Sequence, residues 1–218
     1  MMAFFRTIPF AAALCLWGSL ANSQMQTLAD QLDIARNVEA LSQAGDPVVQ
    51  VSSGTAHACA LVQSRKVYCW GNRQVLVLTP QENRLVPERI KGLKNVIQIA
   101  TGYQHACALK ANGRVFCWGA NYVGQLGDGS FDDSETPVRV KAAPNAVQIS
   151  SGDDHTCILM KSGRVLCWGM NIFGELGFGV TGSAFSTPQR VATPTLFSKV
   201  SAGLEHTCAV GRDERAYC

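Results

Sequence analysis

Gly102-Tyr103-Gln104-His105-Ala106-Cys107-Ala108-Leu109, a turn at Asn112-Gly113, then Arg114-Val115-Phe116-Cys117-Trp118-Gly119, Asn121 and Gly124-Gln125-Leu126-Gly127 decide the fold, because the series recurs. It returns from Gly152 through His155, Cys157, Gly163, Cys167, Trp168, Gly169, Asn171, Gly174 and Leu176 to Gly177. Partial copies precede and follow, with glycines at 54, 102, 152 and 203 and histidines at 57, 105, 155 and 206. Self-similarity at a period of 48–51 residues marks stacked supersecondary units. Each unit holds several short strand patterns, among them 96–100 and 137–140, separated by Gly-rich turns and without a second helix. That pattern predicts an all-β array of β-propeller blades.

Cysteines fix the hairpin inside each unit. Setting aside Cys15, eight remain as four pairs ten apart: Cys59 with Cys69, Cys107 with Cys117, Cys157 with Cys167, Cys208 with Cys218. Placing Cys107 opposite Cys117 centres the hairpin on Asn112. The loop is then Ala111-Asn112-Gly113, with Gly at the position that favours a left-handed backbone. Counting outward from a closing pair at 110 and 114 puts each cysteine pair at a non-hydrogen-bonded site, with Cα atoms about 4.5 Å apart, close enough for a disulfide. The pairs within each hairpin are therefore expected to be bridged. In repeats one and four, Arg65 and Glu214 stand where this loop expects Gly. Residues 74–87 lack the later Gly-x-Leu-Gly and predict a differently shaped connection.

Outside the repeats the chain changes character. Arg6 precedes an apolar run at 8–20, and small residues at 21–23 suit a signal peptidase, so residues 1–23 read as a signal peptide and the product as secreted or periplasmic. The run is too short for a stable membrane anchor. Residues 24–44 carry Met25, Leu28, Leu32, Ala35, Val38 and Leu41 at helical spacing, and residues 45–218 are the propeller repeats. This helix is expected to cover the first sheet edge; binding a partner or a second copy is the alternative. An even cysteine count in a secreted chain favours disulfides over free thiols. The formal net charge is +3 and no run of Lys or Arg stands out, so no nucleic-acid partner is expected.

His-Ala-Cys-Ala-Leu, an Asn-Gly or Ser-Gly turn, Val-x-Cys-Trp-Gly and Asn-x-x-Gly-Gln/Glu-Leu-Gly together resemble the regulator of chromosome condensation repeat, over residues 48–218. The resemblance implies a seven-bladed propeller whose blades are shared between successive repeats. The cysteine-bearing hairpins resemble secreted bacterial members. About three and a half repeats cannot close a seven-bladed ring, so the expectation is a partial, open β-propeller with one N-terminal helix. The last unit stops at Cys218, in mid-hairpin. Two readings follow: a truncated product of a longer gene, or copies that associate to cover the open sheet edges.

Chemistry has few footholds in this pattern. The four repeat histidines form a ring that could be read as a metal or catalytic centre, yet no carboxylate or second His accompanies each at ligand spacing. Hydrogen bonding to a neighbouring strand is the simpler role. Ten-residue cysteine spacing matches no zinc knuckle, no Ser has a triad, and residues 124–129 are not followed by the Lys-Ser/Thr of a phosphate loop. Trp70, Trp118 and Trp168 read as blade-core aromatics. No cofactor and no enzymatic activity are expected. The variable loops remain as binding candidates: residues 128–136, with Phe131, Asp132, Asp133 and Glu135, and residues 178–187, with Phe185. The resulting expectation is a secreted, non-enzymatic protein-binding module, inhibitory or regulatory. The alternatives are a metal-binding or enzymatic propeller built on the histidines, and a fragment without independent function.

Overall fold

The computed structural model describes residues 34–55, 57–71 and 84–218. The signal peptide expected at 1–23, the start of the helix expected at 24–44 and most of the connection at 74–87 lie outside the described residues. The chain divides into two compact units, Met1–Arg36 and Asn37–Cys218. In the first, residues 34–36 are described and are helical; in the second, residues 37–43 are helical. Everything that follows concerns the second unit.

It is built of antiparallel sheets in sequence order. The first holds β1 (Val48–Ser53), β2 (His57–Val62), β3 (Val67–Gly71) and β4 (Arg84–Arg89). The second holds β5 (Val96–Thr101), β6 (His105–Lys110), β7 (Val115–Gly119) and β8 (Ser134–Arg139). The third holds β9 (Ala146–Ser151), β10 (His155–Met160), β11 (Val165–Gly169) and β12 (Phe185–Arg190). The fourth has three strands, β13 (Phe197–Ala202), β14 (Thr207–Gly211) and β15 (Ala216–Tyr217). Each sheet pairs its strands in chain order, the meander of a propeller blade, and the four make an open, partial propeller.

The hairpin register matches the count from the cysteines. Cys107 lies opposite Cys117, and Lys110 N donates to Arg114 O at 2.9 Å while Gly113 N donates to Lys110 O at 2.8 Å. All four hairpins carry a disulfide between their cysteines, with Cα atoms 4.0–4.1 Å apart, closer than an average non-hydrogen-bonded cross-strand pair. Arg65 and Glu214 make the same turn as Gly113, at φ 63° and 65° against 74°, so the missing glycines change the strain and not the loop.

Strands β2, β6 and β10, each flanked by a strand on both edges, are buried along nearly their whole length. Apolar side chains fill the space between successive sheets. Leu61, Val67 and Ile90 of the first meet Val96, Ile99 and Trp118 of the second. Leu109, Val115 and Leu126 meet Ile149, Ile158 and Trp168, and Leu159, Val165 and Leu176 meet Phe197 and Val200. Trp118 and Trp168 are at most 1% exposed, so each is the large wedge of one inter-sheet layer.

The innermost strands are not hydrogen-bonded to one another through their backbones; glutamines join them instead. Gln50 donates to Ile99 O at 2.8 Å and accepts from Ile99 N at 2.9 Å. Gln98 does the same to Ile149, at 3.1 and 3.0 Å, and Gln148 to Val200, at 2.9 and 3.0 Å. A side-chain amide holds an N–H donor and a C=O acceptor in one plane, as a peptide does, so each glutamine acts as one rung of a sheet ladder between blades. Lys199 holds the equivalent position in β13. Beside the rungs, the backbones come close at Gly54, Gly102 and Gly152. A Cβ on any of these would lie 2.1–2.4 Å from the carbonyl oxygen of the next repeat's glycine and against its own repeat's histidine ring, which excludes every other residue.

Candidate functional site

In each sheet the first and third strands run the same way, so the turn after the first and the loop after the third emerge at one end of the blade. These segments bring together exposed side chains that are scattered in the sequence: Tyr103, Tyr122, Ile172, Phe173 and Leu204, the last two 63% and 67% exposed. The end is held by bonds between repeats. Tyr103 N donates to Asp153 O at 2.9 Å, and Asp153 N to Leu204 O at 3.2 Å. The Tyr122 hydroxyl donates to the Asp154 carboxylate, which also accepts from Gln125 Nε2 at 3.4 Å. Burial raises the Asp154 carboxyl, and Asp153 and Glu175 nearby push it the same way against the Tyr122 hydrogen bond. Burial and the Asp154 contact raise the Tyr122 hydroxyl, which therefore stays a donor at neutral pH. Large amphipathic rings of this kind are enriched at protein interfaces in general.

The binding residues expected from sequence are partly structural. The Asn121 side-chain amide sits at the centre of the loop that follows β7, donating to Asp132 O at 3.0 Å and to Ser130 O and Oγ at 3.2 and 3.1 Å. Its Oδ1 accepts from Leu126 N at 2.9 Å. The Asp133 carboxylate accepts Asn121 N at 2.7 Å, so it shapes the loop. Phe131, Asp132 and Glu135 are exposed. Phe185 is half-buried, edge to face with Phe178 at 5.2 Å, and packs on the third inter-sheet layer. Tyr103 and Tyr122 carry no binding signal in the sequence, because they stand inside the most regular stretch of the chain, where every neighbour is scaffold.

The histidines point into the joints between blades. His105 Nε2 lies 2.8 Å from Thr156 Oγ1, and His155 Nε2 lies 2.9 Å from Thr207 Oγ1. Trp168 Nε1 donates at 2.8 Å to Gln125 O, which the Thr156 hydroxyl also reaches at 3.4 Å. His57 faces Ala106 where the later repeats have threonine, and neither of its ring nitrogens has a hydrogen-bond partner. Burial pushes His57 down to about 4, the backbone of His105 opposing slightly from outside bonding geometry. Burial takes His105 down to about 3, helped by repulsion from His57 and His155, and takes His155 down to about 4. The rings are therefore neutral near pH 7. Among the described residues no group of three or more His, Cys, Asp or Glu is placed to hold a metal ion.

The opposite end of the blades carries the hairpins, and there the charge reverses. The first hairpin presents Arg65 and Lys66, the second Lys110 and Arg114, the third Lys161 and Arg164, the fourth Arg212 and Arg215. The turns at the aromatic end, 54–55, 102–104, 152–154 and 203–205, contain no Lys or Arg. Repeats of 48–51 residues disperse these cations in the sequence, which is why no basic run is visible there.

A model of the "Regulator of chromosome condensation (RCC1) repeat" matches residues 66–109, 112–159 and 162–210, and a second model of the same repeat matches 48–73, 96–125 and 146–175. The first set runs from the third strand of one sheet to the second strand of the next, so a repeat and a blade are out of phase. Comparison with curated protein sequences gives no match. Similar solved structures include yeast RCC1 (Prp20) bound to Kap60, 26% identical with a TM-score of 0.67, covering 80% of this chain and 42% of that one. Human WBSCR16 is 27% identical with a TM-score of 0.68, covering 78% of this chain and 46% of that one. Prp20p from Saccharomyces cerevisiae, 24% identical with a TM-score of 0.69 over 84% of this chain and 45% of that one, shares the fold. The chain spans less than half the length of each of these structures.

Proposed function

The chain belongs to the regulator of chromosome condensation (RCC1) repeat family, and from that premise we propose that it is a secreted or periplasmic, non-enzymatic scaffold whose aromatic, acidic blade end binds another protein and inhibits or regulates it. The observation that carries this reading is the ordered cluster of Tyr103, Tyr122 and Asp154, flanked by exposed Ile172, Phe173 and Leu204. Rigid, partly wet aromatic rings lose little entropy on binding and dominate protein interfaces. Phe131, Asp132 and Glu135 extend the surface onto the loop after β7. One similar structure is a complex of its RCC1 protein with Kap60, which agrees with a protein partner for this chain. Four hairpin disulfides fit an oxidising compartment, in keeping with a signal peptide at residues 1–23. Among the described residues no helix is long and apolar enough to cross a membrane.

The test is affinity capture from extracellular or periplasmic extract with the wild-type protein and a Tyr122→Ser/Phe173→Ser variant. A protein retained by the first and lost by the second is the expected result. Retention that the two substitutions leave unchanged would move the site elsewhere.

A further inference from the structure

We infer that the hairpin end of the blades is a docking surface for an anionic lipid layer, which it meets as an array of point charges. The array follows from the repeat: the three-residue loop is the same in every blade, and in every blade Lys or Arg flanks or occupies it. The second, third and fourth hairpins follow one another closely. Ala146 N donates to Gly113 O at 3.0 Å and Phe197 N to Gly163 O at 2.7 Å, so the second and third hairpins are each bonded to the first strand of the next blade. The Arg212 guanidinium lies over the Gly163 turn, where a Cβ would meet it at 2.9 Å. Arg114, Lys161 and Arg164 are exposed, and Lys110 is held at 5.1 Å over the Phe116 ring.

Among the described residues, acids at this end are few. Asp46 is occupied by Ser64 and lies 3.8 Å from Lys66, and Asp213 accepts from Tyr217 at 2.7 Å. Glu214 is the one other carboxylate on the four loops. The far end of the blades is acidic, with Asp153, Asp154 and Glu205, so an anionic plane attracts one end and repels the other. The molecule then docks in one orientation, with the aromatic end facing away.

Lipid headgroups fit this array better than nucleic acid does. The loops hold no aromatic side chain on which a base could stack, and they offer no helix or arm to enter a groove. Short loops on a rigid rim present the cations to a diffuse layer of phosphates, where each adds to the attraction within a Debye length.

Sedimentation with vesicles of phosphatidylcholine alone or mixed with phosphatidylglycerol tests the inference. The expected result is co-sedimentation with the mixed vesicles only, loss of binding at high salt, and no competition by free glycerol phosphate. A Lys110→Gln/Arg114→Gln/Lys161→Gln/Arg164→Gln variant should weaken partitioning by at least about tenfold. A Lys110→Arg/Lys161→Arg variant should bind as wild type, separating lost charge from a damaged fold. Binding to neither vesicle, equal binding to both, unchanged binding by the Gln variant, or displacement from vesicles by a DNA duplex would each overturn it.

Discussion

His105 and Thr156 form a buried pair that spans two blades, and the first joint of the arc has its histidine without the threonine. Removing one member of a buried hydrogen bond costs more than the bond contributes, because the other is left desolvated and unpaired. Thr156→Ala should therefore destabilise the protein by roughly 1–3 kcal/mol, read as a lower urea midpoint. The converse change uses the same geometry, since Ala106 faces Trp118 across its hairpin as Thr156 faces Trp168. Ala106→Thr should supply the missing partner of His57 and raise stability by roughly 1 kcal/mol. If Ala106→Thr is destabilising, the first joint is spaced differently from the second. The sequence marks the histidines plainly, since each is preceded by its glycine. Their partners were not legible: a threonine about fifty residues downstream in an apolar strand looks like any β-branched residue.

At the scale of the strand, hairpins and the joints between blades differ in how readable they are. Hairpin register was legible because two cysteines, a turn and a glycine constrain a local count, and the count carries over to Arg65 and Glu214. The glutamine rungs were not, although Gln50, Gln98 and Gln148 recur in register, because a polar residue on an alternating strand reads as solvent-facing. Gln148→Leu keeps the size of the side chain and deletes both bonds to Val200, leaving a backbone N–H and C=O to be solvated. It should cost about 1–3 kcal/mol and increase amide exchange at Val200. Unchanged protection at Val200 would mean that water replaces the rung at no cost. The candidate site was legible only in its loop half. Tyr103, Tyr122, Phe173 and Leu204 converge through strand direction, which the order of elements determines and the spacing of residues hides.

For the whole molecule, the three buried histidines set a pH dependence. Unfolded, each titrates near its ordinary 6.5; folded, His57 and His155 do so near 4 and His105 near 3. As pH falls below 6.5 the unfolded chain gains protons that the folded chain refuses, so stability is full above that value and is lost toward pH 4. The slope is roughly 1.4 kcal/mol per histidine per pH unit. Asp154, with its carboxyl raised, works the other way, gaining protons first in the folded state. Urea midpoints measured from neutral pH downward should fall steeply, and His105→Gln should flatten the curve; a midpoint insensitive to pH would show that water reaches the rings. The direction of the glutamine rungs bears on order in time. Gln50, Gln98 and Gln148 all reach from an earlier repeat to a later one, so a growing chain presents each new first strand with a receptor already built. Blades can then be added vectorially during synthesis, each nucleated by its predecessor.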